Sequence, residues 1–420
     1  MATITADQAV ITTQDGVPLR IKLRQAERRN RAVAFALVLP LLAFIVLTFI
    51  LPIADMLFRS VDNPVVAEAL PETTAALANW DGQSLPNEEV FATAARELVA
   101  ARKAKTLGRV ATRLNYDLPG SRSLITMSAR KLKKIKQGPY KEVMIKIRSD
   151  WGERATWAAL KQVSSRYTPS YYLAAVDLHY DSNGNIVAQP EDRQIYVSLF
   201  NRTLVASLLI TVICIVLAYP IAYLMALLPT RISNLLMIMV LLPFWTSLLV
   251  RTTSWIVLLQ TEGVLNDILV WLGLIGDENR MQMMYNMTGT VVAMVHILLP
   301  FMVLPLFSVM KTIPPSHVRA ARSLGATPIY AFWKIYFPQS VGGIGAGSIL
   351  VFIMAIGYYI TPALVGGRTG QLISNFIAFH MQKSLNWGLA AALGGILLAG
   401  VLALYWLYNR LVGIDKMKFG

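Results

Sequence analysis

The chain has little of what soluble enzymes are built from. It holds one cysteine and four histidines in 420 residues, and only 15% of its positions are charged. The lone Cys214 excludes an internal disulfide and a metal–thiolate cluster, and its place in an apolar run makes it a packing residue. No G-x-x-x-x-G-K-[ST] stretch occurs, so the chain carries no phosphate-cradling loop of its own. The histidines are scattered; no triad, carboxylate pair or metal cluster is visible, and His296 reads as a hydrogen-bonded interior residue. Asp181, Asn183 and Asn185 have the alternation of a calcium loop. Ile186 stands where that loop needs glycine and no glutamate closes it, so a hairpin turn is expected instead. Carboxylates are absent from the later apolar runs. That argues against proton coupling inside the membrane and against a path that strongly holds a polycation.

Apolar residues are what the chain has in abundance. They make up 55% of it, and the mean hydropathy is +0.50, both typical of membrane proteins. The net charge of +15 then matters less than where the charges lie. Six stretches are long enough to cross hydrocarbon as helices: 32–56, 203–228, 234–258, 287–310, 340–363 and 388–409. Arg20 to Arg31 precede the first, Arg231 follows the second, Lys311 to Lys334 follow the fourth, and Arg410, Lys416 and Lys418 follow the last. With six spans all these cations fall on one side, which the positive-inside rule makes cytoplasmic, with both termini. The first run is too long, and its basic lead too extended, for a cleaved signal peptide. Residues 1–31 are therefore expected as a basic cytoplasmic segment, 32–56 as the first span, 57–200 as an extracytoplasmic domain and 201–420 as a core of five further spans.

Within 57–200, Asn87 to Lys105 reads as an amphipathic helix with Val90, Ala94, Leu98 and Ala101 on one face. Tyr140 to Val163 reads as a second helix, and Tyr171 to Gln189 as two short strands around the Asp181–Asn185 turn. The basic run from Arg130 to Lys136 reads as a solvated face, with docking of a soluble partner as the sharper alternative. In the fifth span, Gly343 and Gly347 are small residues one turn apart that let helices approach closely. Arg251 is, besides His296, the ionisable residue deep in the second to sixth spans. It either meets an anionic group or serves structurally, by snorkelling or by holding helix-end carbonyls; the structural role is preferred.

The most informative stretch lies between the fourth and fifth spans. It reads Arg319-Ala320-Ala321, three residues, Gly325, nine residues, then Ile335-Tyr336-Phe337-Pro338. Physically this predicts a short helix capped by Ser316, a stop at Gly325, and a second apolar helix along the interface leading to Pro338 at the start of the next span. The spacing resembles the cytoplasmic "EAA" loop of permease subunits in binding-protein-dependent ABC importers, with Arg319 in place of Glu and Phe337 in place of Leu. The resemblance covers the first span and residues 200–420 and is silent on the insert.

That resemblance implies an all-α polytopic membrane protein with the type I importer core of six helices, plus the inserted, mainly helical domain. It implies coupling to an ATPase through 311–338, with Arg319, Ala320, Ala321, Gly325, Ile335 and Pro338 as contact residues. The implied partners are an ABC ATPase dimer, a second and different permease subunit, a periplasmic solute-binding protein and the lipid membrane, with no nucleic acid. ATP and Mg would be bound by the ATPase, and no cofactor or catalytic residue is expected in this chain. Thr361-Pro362-Ala363 with Gly366-Gly367 is similar to a signature of spermidine/putrescine-type permeases, as are Pro243 to Ser247 and Pro300 to Pro305. Trp245, Arg251, Phe301, Tyr358, Tyr359, Thr361 and Pro362 are the expected path-lining residues. The solute class is small, polar and organic: a polyamine, an opine or an amino-acid-like molecule. Two rivals are an ion-coupled secondary transporter, which needs ion ligands, and a membrane sensor, which needs a cytoplasmic output domain.

Overall fold

The computed structural model describes residues 19–135 and 137–412. The expected basic segment up to residue 18, Lys136, Lys416 and Lys418 lie outside the described residues. Two units are distinguished, with the boundary after Phe58. In the first, a helix Leu19–Ile45 passes through a π-helical turn Val46–Ile50 into Leu51–Arg59. The turn has a local cause. Pro52 cannot donate a backbone hydrogen bond and its ring crowds the carbonyl four residues back, so Leu51 N–H reaches back five residues to Val46 O. The apolar helix runs Ala26–Arg59, longer at both ends than the 32–56 read from the sequence.

In the second unit the long apolar helices are Tyr196–Leu227, Met287–Thr312, Pro328–Gly357 and Trp387–Arg410. With the first span, five helices are long and apolar enough to cross a membrane among the described residues. A bent pair, Thr230–Trp245 and Leu248–Trp271, makes six if it counts as one span. The expectation of six uninterrupted spans is corrected here at two places. The segment read as 234–258 is broken by a 96° bend after Trp245. Pro243 opens a 3₁₀ turn there, and Ser247 then caps a fresh helix by accepting from Val250 N–H at 3.2 Å. The fifth span ends at Gly357 rather than 363, and Ile360–Val365 is a separate short helix.

The core of this bundle is formed by the second, fourth and fifth spans. Ile210, Cys214 and Ala218 pack with Met294, Leu298 and Met302 and with Val351 and Ala355, all buried. The expected close approach at the fifth span's glycines is present. A Cβ at Gly347 would lie 2.6 Å from Met302 Sδ, and one at Gly343 would lie 3.0 Å from Leu306 Cα.

Between the first and second spans lies a largely helical insert with its own core. Helix Glu88–Lys103 is capped by Asn87, which accepts from Val90 N–H, and buries Val90, Ala94, Leu98 and Ala101 as its periodicity predicts. Trp151 and Trp157 are fully buried and pack at 5.1 Å between ring centroids. The single helix read over 140–163 is corrected: it is Tyr140–Ile147, a 3₁₀ turn Ser149–Gly152 and Arg154–Ser164. The turn folds so that Trp157 Nε1 donates to Trp151 O at 2.9 Å, satisfying a buried indole. The hairpin is Leu178–Tyr180 paired antiparallel with Ile186–Ala188, but Ser170–Ala175 ahead of it is helical rather than extended. Its core contacts decide that: Tyr171 and Ala175 bury against Leu389, Ala392 and Leu393 of the last span.

Candidate functional site

The stretch between the fourth and fifth spans forms helix Pro315–Ser323, a turn, and helix Pro328–Ala331 running on through a π-helical turn Phe332–Tyr336 into Phe337–Gly357. The first helix ends in a Schellman arrangement. Ala326 N–H donates to Ala321 O at 3.0 Å and Gly325 N–H to Arg322 O at 3.0 Å, with Gly325 at φ +93°. Thr327 then caps the next helix by accepting from Tyr330 N–H at 3.3 Å.

Two expectations are corrected. Ser316 does not cap; Pro314 is the N-cap residue and Pro315 supplies the first turn, which needs no donor there. Pro338 does not open a new span after a separate interfacial helix. It lies inside one 30-residue helix, and the π-helical turn before it absorbs its missing N–H, with Phe337 N–H donating to Phe332 O.

The outward face of this loop is exposed and small or apolar. Leu324 is 90% exposed and Ile329 74%. Arg319, Ala320, Gly325 and Pro338 are exposed, while Ala321 and Ile335 are half-buried. Ala321, Leu324, Gly325, Tyr330 and Ile335 border one open hollow. A cationic helix with two alanines toward its middle and a glycine stop offers a surface that another protein's backbone can approach closely.

The residues expected along the path fall into two groups. Arg251 lies on the first turn of Leu248–Leu259, and its Nε and Nη1 are buried without a hydrogen-bond partner among the described residues. His296, which accepts from Trp255 Nε1 at 3.1 Å, and Tyr358 are within electrostatic reach of its guanidinium. Arg251 as a whole is half-buried, and its third nitrogen, Nη2, is not among the buried unbonded atoms. Thr361 is fully buried, with Tyr358 as the polar side chain near its hydroxyl, and Pro362 is buried beside it. Phe301 meets Phe244 edge to face at 5.0 Å, whereas Trp245 is 76% exposed and Tyr359 40%. The structure thus groups Arg251 with Tyr358 and leaves Trp245 at the outside of the bend.

Several residues that hold this region were not singled out from the sequence. The break after Gly357 leaves carbonyls without helical partners, and the following helix Ile373–Gln382 supplies donors: Ser374 Oγ to Tyr358 O and Asn375 Nδ2 to Tyr359 O, both 2.7 Å. A Cβ at Gly366 would strike the Thr290 hydroxyl and one at Gly367 the Tyr285 backbone, so the pair is required by close approach to the start of the fourth span. At the junction with the insert, Tyr196 Oη and Ser384 Oγ each lie 2.8 Å from a nitrogen of His380. Burial pushes the His380 imidazole down to about 4, so it is neutral near pH 7. Asp181 accepts from Asn183 N–H and Asn185 N–H at 2.7 and 2.9 Å, and these donors hold its carboxyl below the usual range. Its oxygens are used by the turn.

Residues 218–413 match the family model for the binding-protein-dependent transport system inner membrane component. The spermidine/putrescine transport system permease protein PotB of Salmonella typhimurium is 35% identical over 221 residues, covering 52% of this chain and 76% of that protein. PotB of Escherichia coli is 34% identical over 221 residues, covering 80% of its length. The inner membrane ABC transporter permease protein YdcU of Escherichia coli is 32% identical over 204 residues, with 46% and 64% covered. Among solved structures, a bacterial alginate ABC transporter in complex with alginate pentasaccharide-bound periplasmic protein aligns at TM-score 0.44 and 18% identity, over 54% of this chain and 80% of that one. The matched region contains both the loop after the fourth span and the broken third and fifth spans, and the chain belongs to the inner-membrane permease family of binding-protein-dependent ABC importers.

Proposed function

We propose that this permease carries a small polar organic solute across the inner membrane by alternating access, driven by a separate ATPase dimer that binds ATP and Mg. The two ends of the chain and the loop 311–338 face the cytoplasm, and residues 57–200 face the other side, where a solute-binding protein delivers cargo. A second, different permease subunit completes the path. The bent pair then counts as one span, which keeps the basic short loops on one side.

The observation that carries this reading is the geometry of the loop: an exposed helix with a glycine-specific stop, joined through the Thr327 cap to a helix continuous with the fifth span. Force applied to Pro315–Ser323 is transmitted through the Schellman turn and the Thr327-capped helix into a span that packs on the core. Gly325→Val tests it. No neighbouring atom lies within 4 Å of a Cβ at Gly325, so the substitution meets no clash, but a β-branched residue at φ +93° is strained by roughly 1–3 kcal/mol. Relieving that strain reorients the short helix. Uptake in vesicles should fall by more than about tenfold while the amount of inserted chain stays near normal. Wild-type uptake would overturn the coupling role.

The solute is proposed on two observations. The PotB relatives are named for spermidine and putrescine, which favours polyamines. The two buried, unbonded nitrogens of Arg251 favour a solute that also carries a carboxylate, such as an opine or an amino acid.

A further inference from the structure

At the foot of the insert lies a cavity of about 890 Å3 that the transport reading does not use. Six cations line it: Arg59, Lys105, Arg109, Arg113, Arg122 and Lys383, against one carboxylate, Asp62, which Arg166 approaches at 3.5 Å. Lys105, Arg109, Arg122 and Lys383 are exposed and have no ion-pair partner among the described residues. Arg113 differs from these. Its side chain is only 4% exposed, Nε donates to Asn63 Oδ1 and Nη1 to Asp117 Oδ2, both at 2.7 Å, and Nη2 is buried with no partner. The Tyr171 ring lies over this guanidinium at 4.8 Å, so a cation held at two nitrogens and against an aromatic face is fixed in place at the wall of a cationic cavity.

The position of the cavity selects the anion. Arg59 is the last residue of the first apolar helix, and Trp387 and Gly388 open the last span. Where apolar spans begin, lipid headgroups lie, and an exposed tryptophan at that level is the usual interfacial anchor. Leu385 and Trp387 at the rim are 65% and 45% exposed, giving apolar surface for the first carbons of an acyl chain. We infer that this cavity binds the phosphate headgroup of an anionic phospholipid, with Arg113 as the buried donor and Arg109, Arg122 and Lys383 as the outer charges. The bound lipid fastens the insert to the membrane beside the last span. This site is independent of the solute and of the ATPase.

The test uses the full chain purified in detergent and titrated with phosphatidylglycerol or phosphatidylcholine, with bound lipid counted by native mass spectrometry. One phosphatidylglycerol should be retained in preference to phosphatidylcholine. The pair Arg109→Gln and Arg122→Gln, both exposed and unpaired, should weaken that retention roughly thirtyfold. The pair Arg130→Gln and Lys131→Gln, on a basic stretch outside the cavity, should leave it unchanged. Equal retention of the two lipids, or an unaltered affinity in the Arg109/Arg122 variant, overturns the site. Displacement of the lipid by inorganic phosphate at matching affinity would show a soluble phosphate ligand and overturn the lipid assignment.

Discussion

Arg251 is where a single side chain says most about the solute. Two buried nitrogens without partners make it an uncompensated charge in this chain, so removing it should not cost folding. Arg251→Leu is expected to keep or raise the yield of folded chain. For a carboxylate-bearing solute it should raise the transport KM by about ten- to a hundredfold, the worth of one charge-assisted hydrogen bond. A loss of folded chain with unchanged KM in the survivors would return Arg251 to a structural role. The sequence showed that this arginine was deep and alone. It could not show that its neighbours would be His296 and Tyr358, because those lie 45 and more residues away and meet it only through the packing of three helices. The glycines of the fifth span were legible, because spacing of four on a helix already places them on one face; Gly366 and Gly367 were visible only as a signature, since what crowds them is the Thr290 side chain and the Tyr285 backbone, some 75 and more residues away.

At the scale of elements, the π-helical turns are what periodicity cannot register. Both among the described residues end two residues before a proline, with Leu51 and Phe337 between the turn and Pro52 and Pro338. The second sits between the loop proposed to couple to the ATPase and the fifth span, and an added residue per turn rotates everything before it by roughly 100° relative to a plain helix. Pro338→Ala restores an N–H that can bond Lys334 O and lets the turn close to α geometry. The expected result is a well-folded chain, slightly stabilised, whose loop faces the wrong way. ATP hydrolysis by the assembled importer should then lose its stimulation by the loaded binding protein. Intact stimulation would mean that the π-helical turn only accommodates the proline. Amphipathic helices such as Glu88–Lys103 were readable because cap, apolar stripe and length agreed. The 96° break was not, because Thr246 and Ser247 look like ordinary members of an apolar run until Ser247 turns to cap.

For the whole molecule, the insert divides differently from its sequence boundaries. Its own core is complete between Val66 and Val163. Residues 165–195 belong to the bundle: Tyr171 fills the space above Gly388, and Asp177 accepts from the N–H groups of Ile195, Tyr196 and Val197 at the start of the second span. Replacing 66–163 with a flexible linker should therefore leave the spans folded. Extending the excision to 195 should destabilise them by at least about 2 kcal/mol, from the lost helix-end carboxylate and the uncovered face of the last span. Thermal unfolding of the two variants in detergent distinguishes the cases, and equal stability would show the 165–195 segment to be dispensable.

The bend after Trp245 has one more consequence. Hydrocarbon contains nothing that hydrogen-bonds to peptide groups, so a chain that stops being helical at that depth must be covered by protein or bathed in water. Around Thr246 the chain satisfies what it can locally, with Thr246 Oγ1 and N–H both donating to Pro243 O. If the bend is not covered by protein, water has to reach it, and a water-filled solute route would supply that water. Because the chain's one thiol, Cys214, is fully buried, a Thr246→Cys variant should stand out against a silent background. A charged maleimide that cannot enter lipid should modify it, faster in one phase of the transport cycle than in the other. An inert thiol in every state would leave the bend sealed and dry.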